Sequence, residues 1–276
     1  MLANLPFSVE FLFAFVFAGV VGGLVSGLLG VGGGIVIVPV LYQVLSALDV
    51  DESLRMQVSV ATSLTTIVFT SFASLRSHRK RGAIDTGLLK RWSVPVFVGV
   101  VCGSLLGGSV DGRLLTGVFG TVAAVVAVQM IFRKEATSTT NGFPNRVIEA
   151  ISGLVIGFVS ALMGIGGGTL SVPILTSFGY DIRRAVGTAS AIGFVIAIPG
   201  TAGYVYTGWN VAGLPPHSIG YVNWLAVLAL IPLTVAMAPV GARLAHSIPR
   251  RALQICFAVF LLATAIKMFH DLFKAF

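Results

Sequence analysis

Two glycine tracts carry the residues with the most evident chemical potential. Residues 26–41 read SGLLGVGGGIVIVPVL and residues 160–175 read SALMGIGGGTLSVPIL. Glycine inside a helix costs about 1 kcal/mol relative to alanine. Gly30, Gly32, Gly33 and Gly34 in the first tract, and Gly164, Gly166, Gly167 and Gly168 in the second, therefore predict a helix break in each. A break within an apolar stretch frees backbone groups that protein, water or ligand must satisfy. The helix that restarts near Gly34 or Gly168 begins with unpaired N–H groups and partial positive charge. Such an end is a ready seat for an anion. The competing reading is that the glycines only let helices pack closely, as small residues do at membrane interfaces.

Hydroxyls lie near the same tracts. Thr62 and Ser63, in the run VATS, echo Thr188 and Ser190, in the run VGTAS. They are candidate substrate contacts, weighed against the ordinary habit of Ser and Thr of bonding their own helix backbone. Ser26 and Ser160 are lesser candidates, and Pro39 and Pro173 are expected to kink the short helices after the breaks. Intramembrane carboxylates, the usual carriers of proton or sodium coupling, are missing from the segment centres. Glu10, Asp85, Asp111, Glu149, Asp181 and Asp271 all fall at or near segment ends. His78, His217, His246 and His270 also sit near ends, so no catalytic base, metal cluster or cofactor site is predicted and an enzyme is not expected. Cys102 and Cys256 lie within apolar segments and read as packing residues.

The elements that must hold these residues follow from composition. The chain has 276 residues, 56% hydrophobic and only 10% charged, against about 25% charged in a typical soluble domain. Most of its surface must face lipid. The net charge of +8 resides mainly in short stretches between apolar segments, which suits a membrane protein better than a nucleic-acid partner.

The two tracts match at an offset of 134 residues, Ser26 with Ser160, Gly30 with Gly164 and Pro39 with Pro173, so the chain reads as an internal duplication. Each half holds five apolar segments, about 8–29, 34–48, 57–75, 92–110 and 114–132, then about 147–163, 168–179, 185–206, 221–242 and 250–270. The second of each set is too short to cross ~30 Å of hydrocarbon comfortably. It is expected to pair with the segment before it as a glycine-tipped helical hairpin. The domain expectation is an N-terminal repeat over 1–135, a cytoplasmic linker over 136–146 and a C-terminal repeat over 147–276.

Arg76, Arg79, Lys80, Arg81, Lys90 and Arg91, then Arg133, Lys134 and Arg146, then Arg243, Arg250 and Arg251, mark three cytoplasmic regions by the positive-inside rule. The stretch 207–220 has no Lys or Arg and is placed outside. Both termini are then outside and the halves run in opposite directions, the inverted-repeat pattern of secondary transporters. The fold class is an all-α polytopic membrane protein of two inverted helical repeats.

The paired GLLGVGGG and ALMGIGGGTLSVP motifs, AVGTAS at 185–190, HRKRGAID at 78–85 and the late SIGYVNW and PVGARLAH stretches resemble the sulfite exporter TauE/SafE family, also called the toluene sulfonate uptake permease family. The resemblance covers essentially the whole chain. It implies a bacterial inner-membrane permease for sulfite, sulfoacetate or another organosulfonate, with the glycine motifs lining the transport region and Thr188 and Ser190 nearby. Thr62 and Ser63 match less closely. Export by alternating access is the favoured expectation, because an anion leaving a negative-inside cell gains ~2.3 kcal/mol per charge per 100 mV. Organosulfonate import is the alternative, and a structural membrane protein a more distant one. The expected partners are a small sulfur-containing anion and membrane lipid, with no nucleic acid and no assigned oligomeric state.

Overall fold

A computed structural model describes residues 9–29, 32–79, 82–132, 142–244 and 250–274. Gly30, the termini and most of the expected linker lie outside them. The described chain is built from helices α1 (Val9–Leu29), α2 (Gly34–Ala47), α3 (Glu52–Arg79), α4 (Thr86–Ser109), α5 (Gly112–Phe132), α6 (Arg146–Met163), α7 (Gly168–Ser177), α8 (Ile182–Thr207), α9 (Trp224–Leu244) and α10 (Arg250–Lys274). A two-residue β-hairpin, β1 (Ser218–Ile219) and β2 (Val222–Asn223), precedes α9. Six of these helices are long and apolar enough to cross a membrane. The protein is an all-α polytopic membrane protein.

The boundaries follow local chemistry. Asp85, Asn145 and Asp181 cap α4, α6 and α8 by accepting from Leu88, Ile148, and Arg183 and Arg184 N–H groups, satisfying donors that a helix start leaves free. α3 extends further at both ends than its apolar stretch, because its charged flanks continue the helix beyond the hydrocarbon. In the second half, Tyr221 to Asn223 form turn and strand and not the start of the expected apolar helix, which begins at Trp224.

The packing repeats itself when the halves are exchanged. α1 packs on α9 and α6 packs on α4; α3 lies against α8, and α5 against α10. Each half thus gives its first helix to the fourth helix of the other. Glycines permit the closest of these crossings: a Cβ at Gly99 or Gly157 would strike the backbone of Leu154 or Val96 across the α4–α6 contact, and one at Gly241 the backbone of Leu24 across α1–α9. α3 and α8 form the centre, and residues 56 to 67 of α3 are buried without interruption. The shorter α2 and α7, of 14 and 10 residues, dip from opposite ends toward that centre.

Candidate functional site

The two glycine breaks meet. Gly32 and Gly33 have φ of 75° and 79°, and Gly164 has φ of 63°, a region open to glycine at little cost. A Cβ at Gly32 would lie 3.3 Å from Gly166 Cα. One at Gly34 would collide with Gly164 O and stand 2.8 Å from Ser63 Oγ. One at Gly164 would be 2.7 Å from Val60 Cα. Ser63 Oγ donates to Gly164 O at 2.7 Å, so α3 of the first half holds the turn of the second. Six of the eight candidate glycines have a close approach of this kind to a partner or lie in the same tight turn. Gly30 is outside the described residues, and Gly168 opens α7.

The restarting helices present their first N–H groups here. In α7 the first backbone bond runs from Ser171 N–H to Gly167 O, 2.8 Å, leaving the N–H groups of Gly168, Thr169 and Leu170 ahead of it. In α2 the Val36 N–H already turns back to Gly33 O, 3.0 Å. Pro39 and Pro173 sit inside the two helices and withhold the N–H that the carbonyls of Ile35 and Thr169 would otherwise accept.

The candidate threonines have a different immediate role. Thr62 Oγ1 accepts the Asn223 backbone N–H at 3.0 Å. Thr188 Oγ1 accepts the Asp85 backbone N–H at 2.9 Å. Asn223 and Asp85 precede α9 and α4, and each also takes an N–H three residues on, Ala226 at 3.0 Å and Leu88 at 2.9 Å. The two arrangements are counterparts across the halves. In each, the segment before a fourth helix folds inward onto the third helix of the other half. Gly187 makes room on one side, since a Cβ there would strike Ala83 O. On the other side Asn223 is buried and its amide donates to Pro216 O at 3.0 Å, and Tyr221 OH donates to Gly108 O at 3.2 Å. The two segments sit at opposite ends of α4, Asp85 before its start and Tyr221 against Gly108 near its end. Ser190 Oγ donates to Val186 O at 3.0 Å and accepts from Ser74 Oγ at 3.1 Å. All four candidate hydroxyls are buried, and all four are engaged by protein.

Charge is kept to the rim. Glu149 is buried and pairs with Arg91 at 2.7 Å near the starts of α6 and α4. Arg113 lies 3.5 Å from Glu52 at the other end of the bundle. Asp51, before α3, has its carboxyl held below the usual range by hydrogen bonds from the Ser53 hydroxyl and N–H. Among the described residues no group of three His, Cys, Asp or Glu side chains is placed to hold a metal ion. Among the described residues no Lys, Arg, Asp or Glu is buried at the tips.

Sequence reasoning missed the involvement of Asp85 and Asn223. Their signal was an N-capping residue in a short connection, legible locally, but nothing in the sequence said that its N–H crosses to the other half.

Comparison with known proteins agrees with this architecture. The family model described as Sulfite exporter TauE/SafE matches residues 15–268. A probable membrane transporter protein of Haemophilus influenzae is 32% identical over 241 residues, 87% of this chain and 91% of that one. The Bacillus subtilis protein YunE, also described as a probable membrane transporter, is 25% identical over 268 residues, 88% of this chain and 92% of its own. A third, from Methanocaldococcus jannaschii, is 25% identical over 234 residues, covering 82% and 83%. No solved structure matches the chain.

Proposed function

Because this chain belongs to the sulfite exporter TauE/SafE family, we propose that the transporter carries a small sulfur-containing anion, sulfite or an organosulfonate such as sulfoacetate. The anion passes the meeting point of the two glycine tips by alternating access, in the export direction, across a bacterial inner membrane. The observation that carries this reading is the approach of the tips, Gly32 toward Gly166 and Gly34 toward Gly164, in a centre that holds no charged side chain among the described residues. Two helix starts converge there. Each stabilises an anion by about 0.3–1 kcal/mol when exposed and up to about 2 kcal/mol when partly buried. A seat built from dipoles and neutral donors holds an anion without a fixed counter-charge to trap it, which suits a site that must release its cargo.

The covering segments supply the alternation. When Asp85 parts from Thr188, the tips open toward the end of the bundle where the basic residues gather, the proposed cytoplasmic side. When Asn223 parts from Thr62, they open toward the other. Both contacts closed is an occluded arrangement. In this reading the halves, 1–135 and 147–276 joined by 136–146, are inverted repeats with both termini outside. The remaining assigned contacts are Gly30, Gly32, Gly33, Gly34, Thr62 and Ser63, with Gly164, Gly166, Gly167, Gly168, Thr188 and Ser190. Outward movement of an anion draws ~2.3 kcal/mol per charge from each 100 mV, so no intramembrane carboxylate is required for drive.

The test is flux in proteoliposomes of known orientation, with labelled sulfite and sulfoacetate. Export predicts flux toward the outer face that rises with an inside-negative potential. Flux only toward the cytoplasmic face would assign import. No flux above protein-free vesicles for any sulfur oxyanion would sink the substrate assignment.

A further inference from the structure

The two tips are not equivalent. Thr62 and Thr188 make counterpart contacts, which fixes α3 against α8 at an offset of 126 residues. Ile67 then corresponds to Gly193. The glycine tracts fix α2 against α7 at 134, so Ile35 corresponds to Thr169 and Ile37 to Ser171. At all three positions a fully buried isoleucine of the first half is replaced in the second by glycine or a hydroxyl.

The consequence is spatial. On the first tip the Ile67 side chain fills the ground before the break: its Cγ2 would lie 3.1 Å from a Cβ at Gly32, and its Cδ1 2.8 Å from one at Gly34. On the second tip the corresponding side chain is missing. A Cβ at Gly193 would lie 2.8 Å from Ser71 Oγ and 3.8 Å from Gly167 N. Gly193 is therefore flanked by a buried hydroxyl on one side and the start of α7 on the other, while Ile192 and Ile196, the counterparts of Thr66 and Thr70, close on Gly167. Thr169, the second residue of α7, is 5% exposed, and its Oγ1 has no hydrogen-bond partner. Ser171 Oγ, in the same helix, and Ser160 Oγ, in the last turn before the break, are also buried and unpartnered. A buried hydroxyl without a partner costs about 1–3 kcal/mol. Three in this hairpin, against Ser26 in the other among the described residues, form with the three N–H groups that precede the first helical bond a donor set with no acceptor.

We propose that the anion seat lies on the second tip, bounded by Ser71, Thr169, Gly193 and the N–H groups that open α7, while the first tip completes its wall. This rests on the transporter reading above and narrows it. Such a seat suits a sulfur head with three oxygens, as in sulfite or a sulfonate, because several hydroxyl and amide donors address separate oxygens at once. Chloride, a single acceptor centre, gains less from the same donors.

The test is titration of the full-length protein in detergent, in chloride-free buffer, with sulfite and with sulfoacetate, read by calorimetry and by thermal midpoint. Thr169→Val keeps the shape and removes the hydroxyl; Ser71→Ala removes the other. Each is expected to weaken both ligands about 10-fold or more, the scale of one hydrogen bond to a charged group. Gly193→Ala is expected to abolish binding, and since it also crowds Ser71, Thr169→Val decides the matter if Gly193→Ala does not fold. Ile37→Val, the change on the first half opposite Ser171, is expected to leave affinity within about twofold, since it removes one methylene and no polar group. Wild-type binding with Thr169→Val and Ser71→Ala both unaltered overturns this seat and leaves the transporter reading standing. A wild-type protein that responds to neither ligand overturns both.

Discussion

Replacing Thr188 by valine isolates one of the two covering contacts. Valine keeps the branched shape of the side chain and removes only the oxygen that accepts the Asp85 N–H at 2.9 Å. An amide left without its partner in a protected site costs about 1–3 kcal/mol. If that cost falls on the closed arrangement, the opening equilibrium at Asp85 shifts by roughly 5- to 150-fold, since 1.4 kcal/mol is a factor of ten. Hydrogen–deuterium exchange in lipid nanodiscs reads this on the same N–H group, resolved in a peptide spanning 82–88. The prediction is faster exchange there and unchanged exchange over 221–226. Thr62→Val should do the reverse, because Thr62 holds the Asn223 N–H at 3.0 Å. The reasoning is refuted if either variant accelerates both segments equally, or if neither alters its own.

Two other perturbations follow from the geometry. Gly34→Ala introduces a Cβ that collides with Gly164 O and crowds Ser63; the tips should part, lowering the thermal midpoint and removing flux, and a variant with wild-type midpoint would deny that the tips touch. Asp51 has a folded-state carboxyl below its ordinary range, so its stabilising contribution is present above about pH 4, the unfolded Asp value, and is lost as pH falls through the lower folded value. The midpoint gap between wild type and Asp51→Asn should therefore stay level from pH 7 to pH 5 and narrow only in stronger acid.

Much of this architecture was legible because its causes are local or repeated. The glycine tracts announce their own breaks, and Ser26 against Ser160 with Pro39 against Pro173 declares the duplication. Apolar lengths place most of the helices within a few residues. The start of α9 differs because Tyr221 and Val222 are as apolar as a span, yet Val222 pairs with Ile219 in a hairpin and Tyr221 turns against Gly208. The candidate hydroxyls were found by type, but their partners were not. Thr62 and Thr188 meet backbone groups more than a hundred residues away, and a backbone N–H leaves no mark in a sequence. The contrast of Ile67 with Gly193 was invisible for a related reason. α2 has 14 residues and α7 has 10, and Thr62 lies deeper in α3 than Thr188 does in α8, so the offset changes from 134 to 126, and the paired contacts of the threonines fix the second register.

The exchange of first helices has a consequence for how the protein is made. α1 emerges from the ribosome early, but its main packing partner, α9, begins at Trp224. At 5–20 residues per second, roughly 200 residues of synthesis impose a wait of about 10–40 s. During that interval the face of α1 that meets α9 waits without its partner, while α6, arriving late, finds α4 already in place. A stalled or truncated chain ending before α9 would leave open to lipid the face of α1 at Gly19 and Gly23, which Leu233, Thr234 and Met237 otherwise cover.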